Sequence, residues 1–263
     1  MRRRAPRLPR RVIRAASAAG VVLGACGGPA KEAQPQVSAV PLTRVPVEDE
    51  ADDGVQLVHD KGHMEPSAVE AGLAPHRGAL TGCYTQRVGQ RTWLGGHVVL
   101  RWEIEADGMV ARVLLAESDL GAWPVENCLL EVARAAQFGK PVGGRAELTL
   151  PLELAARGKP EVWDAAQSAE AIGGQLARLD SCAKGKVAMP DDVSITLYVD
   201  RRGRTESVGF ASPTTMLDDS WAACAEKAAL DWRVPDPKAA RRPKAARPPR
   251  GQMTKLAVRY RPL

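Results

Sequence analysis

The residues of this chain that could do chemistry are few: five cysteines and four histidines among 263 residues. Cys83, Cys128, Cys182 and Cys224 recur at similar distances, and Cys26 stands apart behind an arginine-rich leader. No Cys-x-x-Cys pair occurs, and zinc sites are built from ligands paired a few residues apart. The four later cysteines therefore read as two disulfide staples, the alternative being four buried free thiols. His59, Asp60 and His63 would share one side of a helical turn and could ligate a metal. They sit, however, in a stretch rich in proline and acid that has no helical periodicity. His76 and His97 have no acid or thiol neighbour in sequence and read as surface or satisfied structure. No Gly-x-Ser-x-Gly elbow, phosphate loop or His-Glu-x-x-His is present. The pattern points to a binding protein, not an enzyme, with no cofactor and no metal. Because enzymes also work without these motifs, a small hydrolase is the alternative left open.

The leader sets the compartment. Arg2, Arg3, Arg4, Arg7, Arg10, Arg11 and Arg14 precede a short apolar run from Ala15 to Ala25. That run is far shorter than the roughly 20 residues needed to span a bilayer, so it reads as a signal-peptide core. It ends in Leu23-Gly24-Ala25-Cys26. This resembles the lipobox of bacterial lipoproteins, in which the cysteine is lipidated and becomes the new N-terminus, and it implies lipid attachment at Cys26. Several acyl chains anchor firmly where a single one does not. Gly27 instead of Asp after the cysteine implies sorting to the outer membrane, facing the periplasm. Arg10-Arg11 leaves twin-arginine export open beside the general route. In an oxidising periplasm, cysteines on paired helices read as intradomain disulfides.

Removing the seven signal arginines takes the formal charge from +6 to −1, so the basic composition is no argument for nucleic-acid binding. Residues 1–25 are thus a signal peptide. Residues 26–66 carry Pro29, Pro35, Pro41, Pro46 and Pro66 and an acidic run from Glu48 to Asp53. They read as a disordered tether, holding the folded part on the order of 35 Å from the lipid.

The remainder is an internal repeat. Val98, Leu100, Trp102 and Ile104 alternate with polar neighbours, and Val193, Ile195, Leu197 and Val199 do the same. Each run predicts a half-buried strand that enters a hairpin through Gly108 or Gly203. Helices precede the hairpins, with Leu73, Leu80 and Cys83 matching Ile172, Leu179 and Cys182. Helices also follow them, around Cys128 and Cys224. Last strands close each copy, with Leu148, Leu150 and Leu152 matching Leu256, Val258 and Tyr260. The prediction is α+β: two α-β-β-α-β modules, residues 67–156 and 157–263, each a three-stranded sheet packed by two helices.

This pattern resembles the AgmX/PglI C-terminal domain, a relative of the TonB C-terminal domain of Gram-negative envelope proteins. The resemblance rests on His76-Arg77, Cys83-Tyr84, Gly108, Val125-Glu126-Asn127-Cys128, Phe138, and Gly143-Gly144 before the Pro151 strand. The second copy departs from it, with Ala183 where the first has Tyr84 and an insertion in place of Gly143-Gly144. The resemblance implies that a protein partner in the envelope is bound by strand addition at a sheet edge. Its energy-transducing members carry a membrane helix that this chain lacks, so transduction is not expected.

The third strand of each module is expected at an edge, parallel to the second. Pro151 agrees, because proline is tolerated in sheets mainly at edges. The counterpart of Pro151 in the second module is Arg259, which keeps its N–H. The run Lys255 to Arg261 is therefore expected to offer a complete ladder to an acidic peptide, with Lys255, Arg259 and Tyr260 at the partner site. The insertion, residues 236–253, carries Lys238, Arg241, Arg242, Lys244, Arg247 and Arg250 among prolines and no neutralising acid after Asp236. It reads either as a solvated loop or as a cationic site in which Arg241, Arg242, Lys244 and Arg247 meet anionic lipid, lipopolysaccharide or the chain's own Glu48–Asp53 run.

The anchor is testable directly. Cys26→Ser should leave an uncleaved precursor that takes up no clickable fatty acid in metabolic labelling; label retained in the variant refutes the assignment.

Overall fold

In the computed structural model, residues 61–184, 187, 189–235 and 252–262 are described. Cys26, the leader, most of the tether, and Arg241, Arg242, Lys244 and Arg247 of the insertion lie outside them. Helix α1 (Pro66–Leu73) passes through a 3-10 turn into α2 (Arg77–Val88). Strands β1 (Gly96–Ile104) and β2 (Val110–Ser118) form the first hairpin, followed by α3 (Trp123–Arg134) and β3 (Ala146–Leu154). A two-residue strand β4 (Glu161–Val162) opens the second half. Helix α4 (Ala165–Leu176) follows and continues as a 3-10 helix to Cys182, and then β5 (Val193–Val199), β6 (Thr205–Ala211), α5 (Asp219–Leu230) and β7 (Thr254–Tyr260). The molecule is α+β, with sheets ordered β2-β1-β3 and β4-β7-β5-β6.

Local sequence accounts for the helix starts. Asp164 and Gln167 form a reciprocal capping box ahead of α4, and the Asp218 carboxylate accepts from the N–H groups of Ser220 and Trp221 ahead of α5. Pro124 takes the first turn of α3, where an N–H would be unsatisfied anyway.

The register of the closing strands follows the repeat. Val98, Leu100 and Trp102 of β1 oppose Leu152, Leu150 and Leu148. Val193, Ile195 and Leu197 of β5 oppose Tyr260, Val258 and Leu256. In both halves the closing strand is antiparallel to the first strand and therefore parallel to the second. Two disulfides tie the flanking helical segments together, Cys83–Cys128 and Cys182–Cys224, each with its Cα atoms 5.6 Å apart.

Three features depart from the sequence reading. Lys61 and His63, which the tether was expected to include, bridge to Arg145 and Val142 at the approach to β3, and Pro66 already begins a helix. The second sheet has a fourth strand, because β4 pairs parallel to the start of β7. The third departure concerns burial: β1 alternates as expected, but β5 and β6 are buried on both faces. The edge strands β2 and β6 also come together, the N–H of Ser212, just past β6, donating to the Leu115 carbonyl at 2.9 Å. The halves consequently share one apolar core.

Because each disulfide closes a loop of some forty residues, it should contribute about 4 kcal/mol. The double substitution Cys83→Ala/Cys128→Ala should lower unfolding stability in guanidinium by about that amount, and non-reducing peptide mapping of the unaltered chain should recover only the two native pairs.

Candidate functional site

The three residues placed at the second module's edge are engaged within the chain. Lys255 Nζ lies 3.0 Å from the Asp119 carboxylate and 3.2 Å from the Gly95 carbonyl, over the Tyr198 ring. It joins the two halves and is no free contact for a partner. Arg259 Nε donates to Asp192 at 2.6 Å. That hydrogen bond leads the influences that hold the Asp192 carboxyl below the usual carboxylate range, with Arg261 assisting. The Tyr260 hydroxyl donates to Asp180; burial first, and then that carboxylate, push its pKa up to about 12.

Nor does the complete ladder from Lys255 exist. The Glu161 N–H donates to Met253 O at 2.9 Å and the Trp163 N–H to Lys255 O at 3.0 Å, so β4 already occupies the start of that edge. With a two-residue period, Ala257 and Arg259 face the same way beyond β4, and no hydrogen bond reaches their outward groups among the described residues. This remaining edge opens into a cleft of about 790 Å³ between the halves, lined by His97, Glu117, Asp119, Ala165, Ala169 and Arg259 among others. His97 Nδ1 lies 2.6 Å from Glu153. Glu117 and Asp119 line the cleft together with Arg259, so its charged lining is mixed and not basic.

The first half offers a different edge. Pro151 opposes Val99, and since it has no N–H to give β1, its residue position must face outward. Thr149 and Glu153, two residues to either side, face outward with it. Beside this edge runs a groove of about 570 Å³ between β3 and the α1–α2 helices, lined by Leu73, Leu80, Tyr84, Leu150, Leu152 and Leu154 among others. Tyr84 closes one end, its hydroxyl 2.8 Å from Leu94 O and 3.0 Å from Ala155 O. In the second half the counterparts of Leu152 and Thr81 are Tyr260 and Asp180, whose hydrogen bond spans the equivalent position. The groove is thus open in one half and bridged in the other.

Between the halves lies the most unusual side chain. Glu126, on the first turn of α3, is fully buried. Its carboxylate accepts from the Ser118 hydroxyl at 2.6 Å in its own half and from the Phe210 N–H at 3.0 Å in the other. Burial pushes its pKa up to about 7, against the pull of those two donors and the backbone N–H groups of Ala122 and Gly121. Around it, the Tyr198 hydroxyl donates to Gly95 O at 2.8 Å and the Ser207 hydroxyl to Gly121 O at 2.7 Å. Trp93 stacks at a tilt on Tyr198, and Trp123 meets Phe210 edge to face. Sequence reading used Glu126 only as part of a resemblance. The signal that could have found it is Gly209, a glycine inside a strand, which often marks the close approach of another group.

Among the described residues, no cluster of three or more His, Cys, Asp or Glu could hold a metal, and no helix is long and apolar enough to cross a membrane. Comparisons with family models, curated proteins and solved structures find no match to this chain.

A Cβ at Gly209 would collide with both Glu126 carboxylate oxygens. Gly209→Ala should therefore cost about 1–3 kcal/mol of stability, read as a lower urea midpoint, whereas Gly173→Ala, with open space at its Cβ, should leave stability equal or slightly higher.

Proposed function

We propose that this protein is a lipid-anchored scaffold of the cell envelope, built from two TonB C-terminal-like modules, that captures an extended segment of an envelope protein by strand addition. The observation that carries the reading is the placement of sheet edges. The edge strands β2 and β6 lie against one another, which leaves β3 and the end of β7 as outward ladders. Unpaired strand edges are templates for an added strand. Of the two, β3 is the better dock, because the Leu-lined groove beside it supplies apolar burial that the mixed-charge cleft at β7 does not. Lipidation at Cys26 and the tether would hold this edge within reach of partners on the periplasmic side of the outer membrane.

A second reading, recognition of anionic lipid or lipopolysaccharide through the basic insertion, gains one observation. Arg233, just ahead of the insertion, bridges to Arg204 of a hairpin that also carries Arg201 and Arg202. Arg204 is, however, already paired with Asp200 and Glu206.

The test is a photo-crosslinking amino acid at Leu152 in the full chain, in native envelopes. A discrete protein adduct is expected. Thr149→Pro, which removes one outward N–H, should reduce it by about tenfold, the worth of one backbone hydrogen bond. Adduct unchanged in Thr149→Pro but lost when Arg241, Arg242, Lys244 and Arg247 become Ser would transfer the function to the insertion.

A further inference from the structure

The contact between the halves contains an acid with no cation. Glu126 is fully buried, and its two hydrogen-bond partners are neutral, the Ser118 hydroxyl and the Phe210 N–H; the backbone N–H groups of Ala122 and Gly121 also favour its ionised form. Ser118 belongs to the first half, whereas Phe210 belongs to β6 of the second. Phe210 is the partner across the contact, so drawing β6 away from the Ser118–Ala122 segment would bring water to the carboxylate.

Among the described residues, no charged group on the elements packed around α3 bonds to Glu126 or shifts its titration. Asp119 at the end of β2 pairs with Lys255. On β6, Glu206 pairs with Arg204. On α5, Asp219 pairs with Arg134 of α3 itself, and Glu226 feels Arg91. From α2, the Tyr84 hydroxyl bonds backbone carbonyls. Tyr198 of β5 is the group whose ionisation feels the charge of Glu126, and burial raises its own pKa further out of range. None of them supplies a counter-charge to the carboxylate.

We propose that Glu126 is a protonation-controlled latch between the two halves, closed when its carboxyl is neutral and loosened when the carboxyl is ionised. The reason is desolvation. Ionisation in the closed interface leaves a buried charge held only by dipoles, and parting of β6 from Gly121 restores its water. This inference does not depend on what the β3 edge binds.

The direction in pH follows from linkage. With the halves parted, Glu126 has the ordinary carboxylate value; closed, it titrates near 7. A raised acid pKa means that closure takes up a proton. Its stabilisation is fully present below the ordinary carboxylate value and is lost as pH rises through about 7. Between pH 6 and 8.5 the opening equilibrium should rise by about tenfold.

Hydrogen exchange by mass spectrometry on the full chain tests this, with rates corrected for the chemical effect of pH. Peptides covering Ser118–Ala122 and Ser207–Ala211 should lose protection about tenfold from pH 6 to 8.5, while Val98–Trp102 stays unchanged. Glu126→Gln should flatten the dependence. Ser118→Ala, which removes a donor to the ionised form, should move the midpoint to higher pH, and this variant keeps the test open if the glutamine variant fails to fold. Protection that is independent of pH in the unaltered chain, the same dependence persisting in Glu126→Gln, or a midpoint unmoved in Ser118→Ala would each overturn the latch.

Discussion

A β-sheet has two faces, and the helices of each half cover only one of them. In the second half the other face, with Thr196, Tyr198, Ser207 and Gly209, is closed by residues of the first half, chiefly Gly95 and the Ser118–Glu126 segment. Most else depends on this burial. It makes one core from two repeats, places a carboxylate where water cannot reach it, and puts β2 against β6. Had the second sheet kept a solvated face, as antiparallel sheets commonly do, the repeats would be beads on a string with independent edges.

The repeat itself was legible, and so was its register. Period-two alternation located β1 and β5, and counting from the cysteines paired Leu148, Leu150 and Leu152 with their counterparts. Both disulfide pairs follow from the same count. What sequence could not convey was that the polar positions of β5 meet protein instead of water. A threonine or tyrosine that alternates with aliphatics reads as solvent-facing, because periodicity reports contrast between faces and not what covers them. The same limit explains Lys255, whose charge suggested a partner but whose ammonium ties Asp119 to Gly95. The strand β4 was missed because two residues carry no period at all.

Equivalent positions differ between the halves beside the closing strands. Leu152 and Thr81 leave a groove open beside β3; Tyr260 and Asp180 bridge the same place beside β7. Pro151 thins the ladder at the open edge, which guards it against indiscriminate pairing. On the proposed strand-addition reading, specificity would rest on side chains that enter the groove rather than on backbone pairing alone.

The bridges at Lys61 and His63 have a mechanical meaning. If the chain is anchored and engaged as proposed, tension would pass through these two residues into Val142 and Arg145, at the mouth of β3. If those hydrogen bonds give way, α1 and the start of α2 pay out, and the unravelling halts at Cys83, whose covalent link to Cys128 passes the load to α3. On that reading the first disulfide would be a force stop, limiting how far the fold could be drawn out before a covalent bond, and not the hydrophobic core, bears the load.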